Sequence, residues 1–165
     1  MTDPSGVPEL LRKHKVTAPA VNVYRIIEEN DIKLVFEDMD DSDSGLLLIE
    51  RGKATIAINK SHHPNRQRFT AAHECGHYFL HREGDEQLFI DQAFARGATA
   101  SAGTDAIEID ANQFAAELLM PEDMVKDAAV SQSLSDLDIA MLALRFEVSE
   151  QAMTLRLVKL GLVQP

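Results

Sequence analysis

The chain has a single cysteine in 165 residues, so no internal disulfide framework is available, and the thiol suits a reducing compartment. Positive charge is scarce. Sixteen Lys and Arg stand against twenty-seven Asp and Glu, for a formal net charge of −11. A generic nucleic-acid surface needs clustered cations to displace counterions, so that class is disfavoured. Long apolar runs are missing, and no membrane span is expected. The opening M-T-D-P-S-G-V-P has neither a basic segment nor an apolar stretch of the secretory kind. Repeats are absent too. These absences lead to the expectation of a soluble cytoplasmic protein of one ordinary domain, long enough to bury a core.

What the chain does carry is His73-Glu74-Cys75-Gly76-His77, the pattern H-E-x-x-H. Residues four apart on a helix lie on one face, so two imidazoles can converge on one tetrahedral ion. Glu74 then addresses the water rather than the metal, which is the skeleton of a zinc peptidase site. Residues 64–81, P-N-R-Q-R-F-T-A-A-H-E-C-G-H-Y-F-L-H, read as a helix. Phe69, Ala72, Cys75, Gly76, Phe79 and Leu80 cluster on an apolar face, and Thr70, His73, Glu74, His77 and His81 on the adjoining sector. The bland alternative is a solvated face with ordinary surface histidines.

A catalytic zinc needs a third protein ligand and an open fourth position. On a continuous helix His81 lies about 12 Å along the axis from His73 and cannot join it on one ion. The best second segment is 107–121, I-E-I-D-A-N-Q-F-A-A-E-L-L-M-P, a helical pattern closed by Pro121. At steps of about 100°, Ile107, Ala111, Phe114, Ala115, Leu118 and Leu119 form its buried face. Glu108 falls within that apolar sector, Asn112 on its margin, and Asp110 and Glu117 project towards solvent. A carboxylate on a core face requires a positive partner, which favours Glu108 as the third ligand. Asp110 and Glu117 remain alternatives, and a carboxylate that merely complements the helix dipole is the bland reading of Glu108.

With both segments in view, the chain resembles the ImmA/IrrE family of metallopeptidases. The stretches that carry the resemblance are R-Q-R-F-T-A-A-H-E-C-G-H-Y-F-L-H and E-I-D-A-N-Q-F-A-A-E-L-L-M-P, within a similarity running from about residue 20 to 160. The resemblance implies zinc ligands at His73, His77 and Glu108, with Glu74 as general base in a gluzincin-like site. It also implies a substrate: an Xre-type helix-turn-helix repressor whose cleavage releases stress-response, phage or mobile-element genes. Imidazole and carboxylate also accept manganese or iron. A rival reading is a regulatory metal-binding module that docks a repressor or DNA without cleavage, and a toxin–antitoxin component is a third.

The expected fold is α+β: a small zincin-like domain with a short, mostly antiparallel sheet packed on the H-E-x-x-H helix and a second metal-ligand helix, followed by a C-terminal helical hairpin. Residues 1–16 read as a flexible tail, 17–130 as the metallopeptidase domain, and 131–165 as the hairpin. Residues 18–30 read as a helix, 32–36 as a strand, and the acidic E-D-M-D-D-S-D-S-G as a solvated turn lacking the ordered loop that calcium requires. Leu46–Glu50 and Ala54–Asn59 read as a hairpin across R-G-K. Leu88–Asp91 reads as an edge strand able to pair with an extended substrate. The Ala/Gly/Thr/Ser segment after it is a flap over the cleft or a plain loop.

In the C-terminal segment, two helices separated by F-E-V-S, with Ser149 as N-cap, have helix-turn-helix spacing. The second offers only Arg156 and Lys159 as cations, so a packing role is favoured over DNA readout. Cys75, on the apolar side of its helix, reads as a buried inert thiol. For oxyanion stabilisation and substrate binding, His81 is the candidate donor, ahead of Tyr78, which points away from the histidine face.

Overall fold

The computed structural model describes residues 6–92, 102–129 and 133–164. Its elements run α1 (Val7–Lys13), α2 (Val23–Glu29), β1 (Lys33–Glu37), β2 (Asp43–Glu50), β3 (Lys53–Asn59), α3 (Pro64–His81), β4 (Glu86–Gln92), α4 (Ala102–Leu119), α5 (Glu122–Ala128), α6 (Asp136–Phe146) and α7 (Glu150–Lys159). The class is α+β. Residues group into two compact units, Asn22–Ala115 and the combination of Met1–Val21 with Ala116–Pro165. The division between these units falls within α4. No helix among the described residues is long and apolar enough to cross a membrane.

In the first unit, alternation along β2 and β3 produces the expected hairpin. Glu50 pairs with Lys53 across Arg51-Gly52. Both turn residues have positive φ, 50° and 76°, as in the type I′ turn whose twist matches that of paired strands, and glycine serves best there. The sheet order is β1-β3-β2-β4. β2 is antiparallel to both β3 and β4, whereas β1 joins β3 in parallel. Leu47, Ile49, Ile56 and Ile58 occupy one face with no exposure, and α3 packs across it. The acidic turn before β2 is closed by the buried Asn59 amide, which donates to the Asp40 carbonyl at 3.1 Å and the Asp43 carbonyl at 2.9 Å. α2 begins later than expected, at Val23, because the Asn22 side chain accepts the Arg25 N–H as an N-cap.

The second unit corrects the expectation of a tail over residues 1–16. Val7–Lys13 is helical, with Pro8 in its first turn, and Val7, Leu10 and Leu11 are buried at helical spacing. The C-terminal segment is the expected hairpin. Ser135 and Asp138 form a capping box on α6, and the Ser149 side chain accepts the Ala152 N–H to cap α7. Leu142, Ala143 and Phe146 from α6 and Met153 and Leu157 from α7 are buried. One expectation fails here, that Glu117 projects towards solvent. Arg156, one of the two cations available for DNA contact, is buried: its Nε donates to the Met120 carbonyl at 2.9 Å and its Nη2 meets Glu117. Glu117 accordingly turns to that partner rather than to solvent. A charged side chain without a cationic partner nearby in sequence gives no hint of one 39 residues away.

Candidate metal centre

Helix α3 begins at Pro64, whose missing N–H is harmless at the first position, and the His63 ring accepts the Asn65 N–H. From Thr70 to His77 every residue is buried, on the polar sector as well as the apolar one. This middle stretch lies against the sheet on one side and α4 on another. Gly76 permits the second contact: a Cβ there would sit 2.9 Å from the Ala111 Cα and 3.1 Å from its carbonyl oxygen. The close crossing brings α4 within reach one turn before Ala111, at Glu108.

Three donor atoms then converge. His73 Nε2 and His77 Nε2 are 3.0 Å apart, and Glu108 Oε2 and Oε1 lie 3.1 Å and 3.3 Å from them respectively. Ligands about 2.0–2.1 Å from a tetrahedral ion stand roughly 3.3 Å from one another, so the group fits such an ion. His73, His77 and Glu108 are a set that could hold a metal. Hydrogen bonds from His73 and His77 pull the Glu108 carboxyl down to about 2, against the opposing effect of burial. Its side chain keeps 40% of its exposure, whereas the histidines keep 3% and 2%, so the centre opens to solvent beside Glu108.

The surroundings hold the imidazoles in place. His73 Nδ1 is 3.1 Å from Asn112 Oδ1, a contact that leaves Nε2 free to face the ion. The His77 ring stacks on Phe89 of β4, with centroids 4.5 Å apart and planes 14° from parallel. Glu74 has neither oxygen exposed and neither hydrogen-bonded among the described residues. Burial first, then the charges of Asp91 and Glu108, raise its carboxyl well above the ordinary range. Asp91, from β4, brings a carboxylate oxygen within 4.8 Å of His73 and Glu74 ligand atoms.

Among the remaining candidates, His81 stays outside the converging set. Its ring centroid is 5.7 Å from that of His77, its Nε2 is buried without a partner, and burial followed by His77 lowers its pKa. The Tyr78 hydroxyl accepts a hydrogen bond from Arg82 at 3.0 Å, away from the histidines. Asp110 is exposed, and Glu117 is committed to Arg156. The Cys75 thiol is fully buried and its pKa pushed up by that burial, as an inert core residue requires. The candidate flap lies largely within residues 93–101, outside the described residues, and α4 is already helical from Ala102.

Sequence reasoning gave no role to Phe89, Asp91 or Gly76. Alternation along β4 was the available signal for the first two, since Gln87, Phe89 and Asp91 pair with Ile49, Leu47 and Gly45 of the helix-facing side. From the sequence Gly76 reads only as part of the apolar face, because the need for a close helix crossing depends on a second element.

The family model described as IrrE N-terminal-like domain, Peptidase_M78, matches residues 27–158. The chain belongs to the ImmA/IrrE family. Metallopeptidase ImmA of Bacillus subtilis is 29% identical over 121 residues, covering 70% of this chain and 67% of that protein. The uncharacterized immunity region protein 2 of Bacillus phage phi105 is 24% identical over 138 residues, 84% of this chain and 80% of its own length. The radiation response metalloprotease IrrE of Deinococcus radiodurans is 38% identical over 94 residues, 57% of this chain but 27% of that longer protein. Membership in the ImmA/IrrE family and the names of these relatives support a metallopeptidase, with a metal group formed from His73, His77 and Glu108 available for it.

Proposed function

We propose that this chain is a zinc-dependent endopeptidase whose ligands are His73, His77 and Glu108 and whose general base is Glu74. The observation that carries the reading is the convergence of two imidazole nitrogens and a carboxylate at 3.0 to 3.3 Å, beside a buried glutamate that no group in the described residues satisfies. A zinc ion held there supplies Lewis acidity, lowering the pKa of water and polarising the scissile carbonyl. Glu74 takes the proton from the attacking water and delivers it to the leaving nitrogen. His81 Nε2, buried and unpaired, is the candidate donor to the developing oxyanion or to the substrate.

Substrate enters as an extended chain. β4 pairs with β2 on one side and has no strand partner on the other among the described residues, leaving backbone groups for strand addition. The substrate is an Xre-type helix-turn-helix repressor, whose cleavage releases stress-response or mobile-element genes. The family resemblance supports this, as do relatives named for an immunity region and for a radiation response. Burial of Arg156 leaves α7 with Lys159 as its exposed cation, which supports a protein substrate over direct DNA binding.

Metal content and cleavage of an Xre-type repressor encoded nearby test the proposal together in wild type, Glu74→Gln and Glu108→Ala. The expected result is one zinc per chain in the first two, none in Glu108→Ala, and cleavage by wild type alone. Metal binding with a repressor that co-purifies uncut would instead favour a docking module.

A further inference from the structure

One carboxylate at this centre has no task in the hydrolytic scheme. Asp91 lies on the helix-facing side of β4, paired with Gly45 of β2, and its ligand atom is within 4.8 Å of those of His73 and Glu74. A divalent ion is balanced by Glu108 and Glu74, and the charge of Asp91 remains. Among the described residues no side-chain hydrogen bond or ion pair engages the Asp91 carboxylate, whose charge instead acts on Glu74. The strand itself, E-Q-L-F-I-D-Q, offers no Lys or Arg to supply one. Glu74, with both oxygens buried and unpartnered, borders the same spot.

A second metal ion does not fit this position. His73 turns Nε2 towards His77 and Glu108 and Nδ1 towards Asn112, so no imidazole nitrogen remains for the trio of His73, Glu74 and Asp91. What fits is an organic cation on the chain laid along β4. Asp91 is half-buried, deep enough for a hydrogen-bonded charge pair to discriminate strongly yet open to an arriving side chain.

Resting on the peptidase reading, we propose that Asp91 is a specificity-determining residue that recognises a Lys or Arg side chain of the substrate beside the scissile bond. The acidic residue at the edge strand thus selects basic sequences, and the substrate class is an extended segment carrying a basic residue next to the cleaved peptide bond.

The test uses the zinc-loaded full chain on an N-terminally acetylated peptide library, in which side chains alone supply cations, with cleavage sites read by mass spectrometry. Wild type should enrich Lys and Arg within two residues of the cut by roughly tenfold. Asp91→Glu should keep the preference, and Asp91→Asn and Asp91→Ser should lose it while retaining zinc. Binding gives a readout without turnover. In the Glu74→Gln background, an acetylated peptide with Lys should bind roughly tenfold more tightly than its norleucine counterpart, and adding Asp91→Asn should equalise the two. An unchanged basic preference in zinc-loaded Asp91→Asn would overturn the inference and leave the peptidase reading standing. A zinc-loaded wild type that cuts nothing in the library or the repressor would overturn the peptidase reading itself.

Discussion

At Glu117 a carboxylate with 17% of its side-chain exposure meets Arg156, with 3%, and the guanidinium also donates to the Met120 carbonyl. At Glu74 a carboxylate with no exposure meets nothing, and two further acids, Asp91 and Glu108, add to its discomfort. Both groups come from helices packed into a core. The first is satisfied internally and stabilises its unit once its partner is present. The second is satisfied by nothing the described residues contain, which makes it a cost in folding and a reserve for chemistry. A completed polar cluster marks structure, and an uncompleted one, at a centre where three candidate metal ligands converge, marks function.

The largest effect that would test this contrast comes from Glu74→Gln. Replacing the proposed base while keeping the shape should lower kcat by about 10³-fold, with zinc content unchanged by elemental analysis. In the metal-free protein the same substitution removes a carboxyl whose ionised form burial disfavours, so at pH above the ordinary carboxylate range the variant should melt at a higher temperature than wild type. Loss of stability equal to the loss of activity would mean that Glu74 is a structural group like Glu117.

Arg156→Ala should do the reverse. It strands Glu117 in a largely dry position, and the expected destabilisation is about 3 kcal/mol by urea denaturation, with metal content and the identity of cleaved bonds preserved. Combining it with Glu117→Leu should recover much of the loss, because an apolar pair replaces a buried ion pair at little cost. If the double variant is no better than the single, the ion pair is not what holds α7 to the end of α4.

Next comes the metal. Bound at a free concentration of about 100 times its dissociation constant, zinc should add about 2.7 kcal/mol to stability, lost on chelation. Glu108→Ala should show little response to chelator, whereas Arg156→Ala should respond as wild type does. A chelator effect that survives in Glu108→Ala would assign the third ligand elsewhere.

How much of this was legible in the sequence follows the same contrast. Features written in local spacing were clear: α3 spans 64–81 as its caps and periodicity indicate, the Arg51-Gly52 turn joins β2 to β3, and Ser149 caps α7. The approach of Glu108 to the histidines was suggested by its helical projection, although the side chain is half-exposed rather than set in a core face. The pairing of Glu117 was not legible, because its partner lies 39 residues away and helical projection alone turned it to solvent. Asp91 depended on strand register, which only pairing with β2 fixes. The helix α1 was hidden by a segment rich in charge and proline. Its Val7, Leu10 and Leu11 gain meaning from the core that receives them, not from their own short pattern. The parallel placement of β1 on β3 likewise has no local signature.

Gly76 gives the smallest and most discriminating effect, since it links packing to the centre. A methyl group at this position would press on the backbone of α4 at Ala111, 2.9 Å and 3.1 Å away, and on the Phe114 Cβ at 3.2 Å. Backbone yields less readily than a flexible side chain, so Gly76→Ala should cost about 1–2 kcal/mol of stability. Because Glu108 lies on α4 one turn before Ala111, moving that helix away stretches the 3.1 Å and 3.3 Å approaches to His73 and His77. Zinc affinity measured by competition with a chromophoric chelator should therefore fall along with stability. If stability drops while zinc affinity holds, Glu108 reaches the ion independently of the helix crossing, and the convergence of the three donors owes nothing to the glycine.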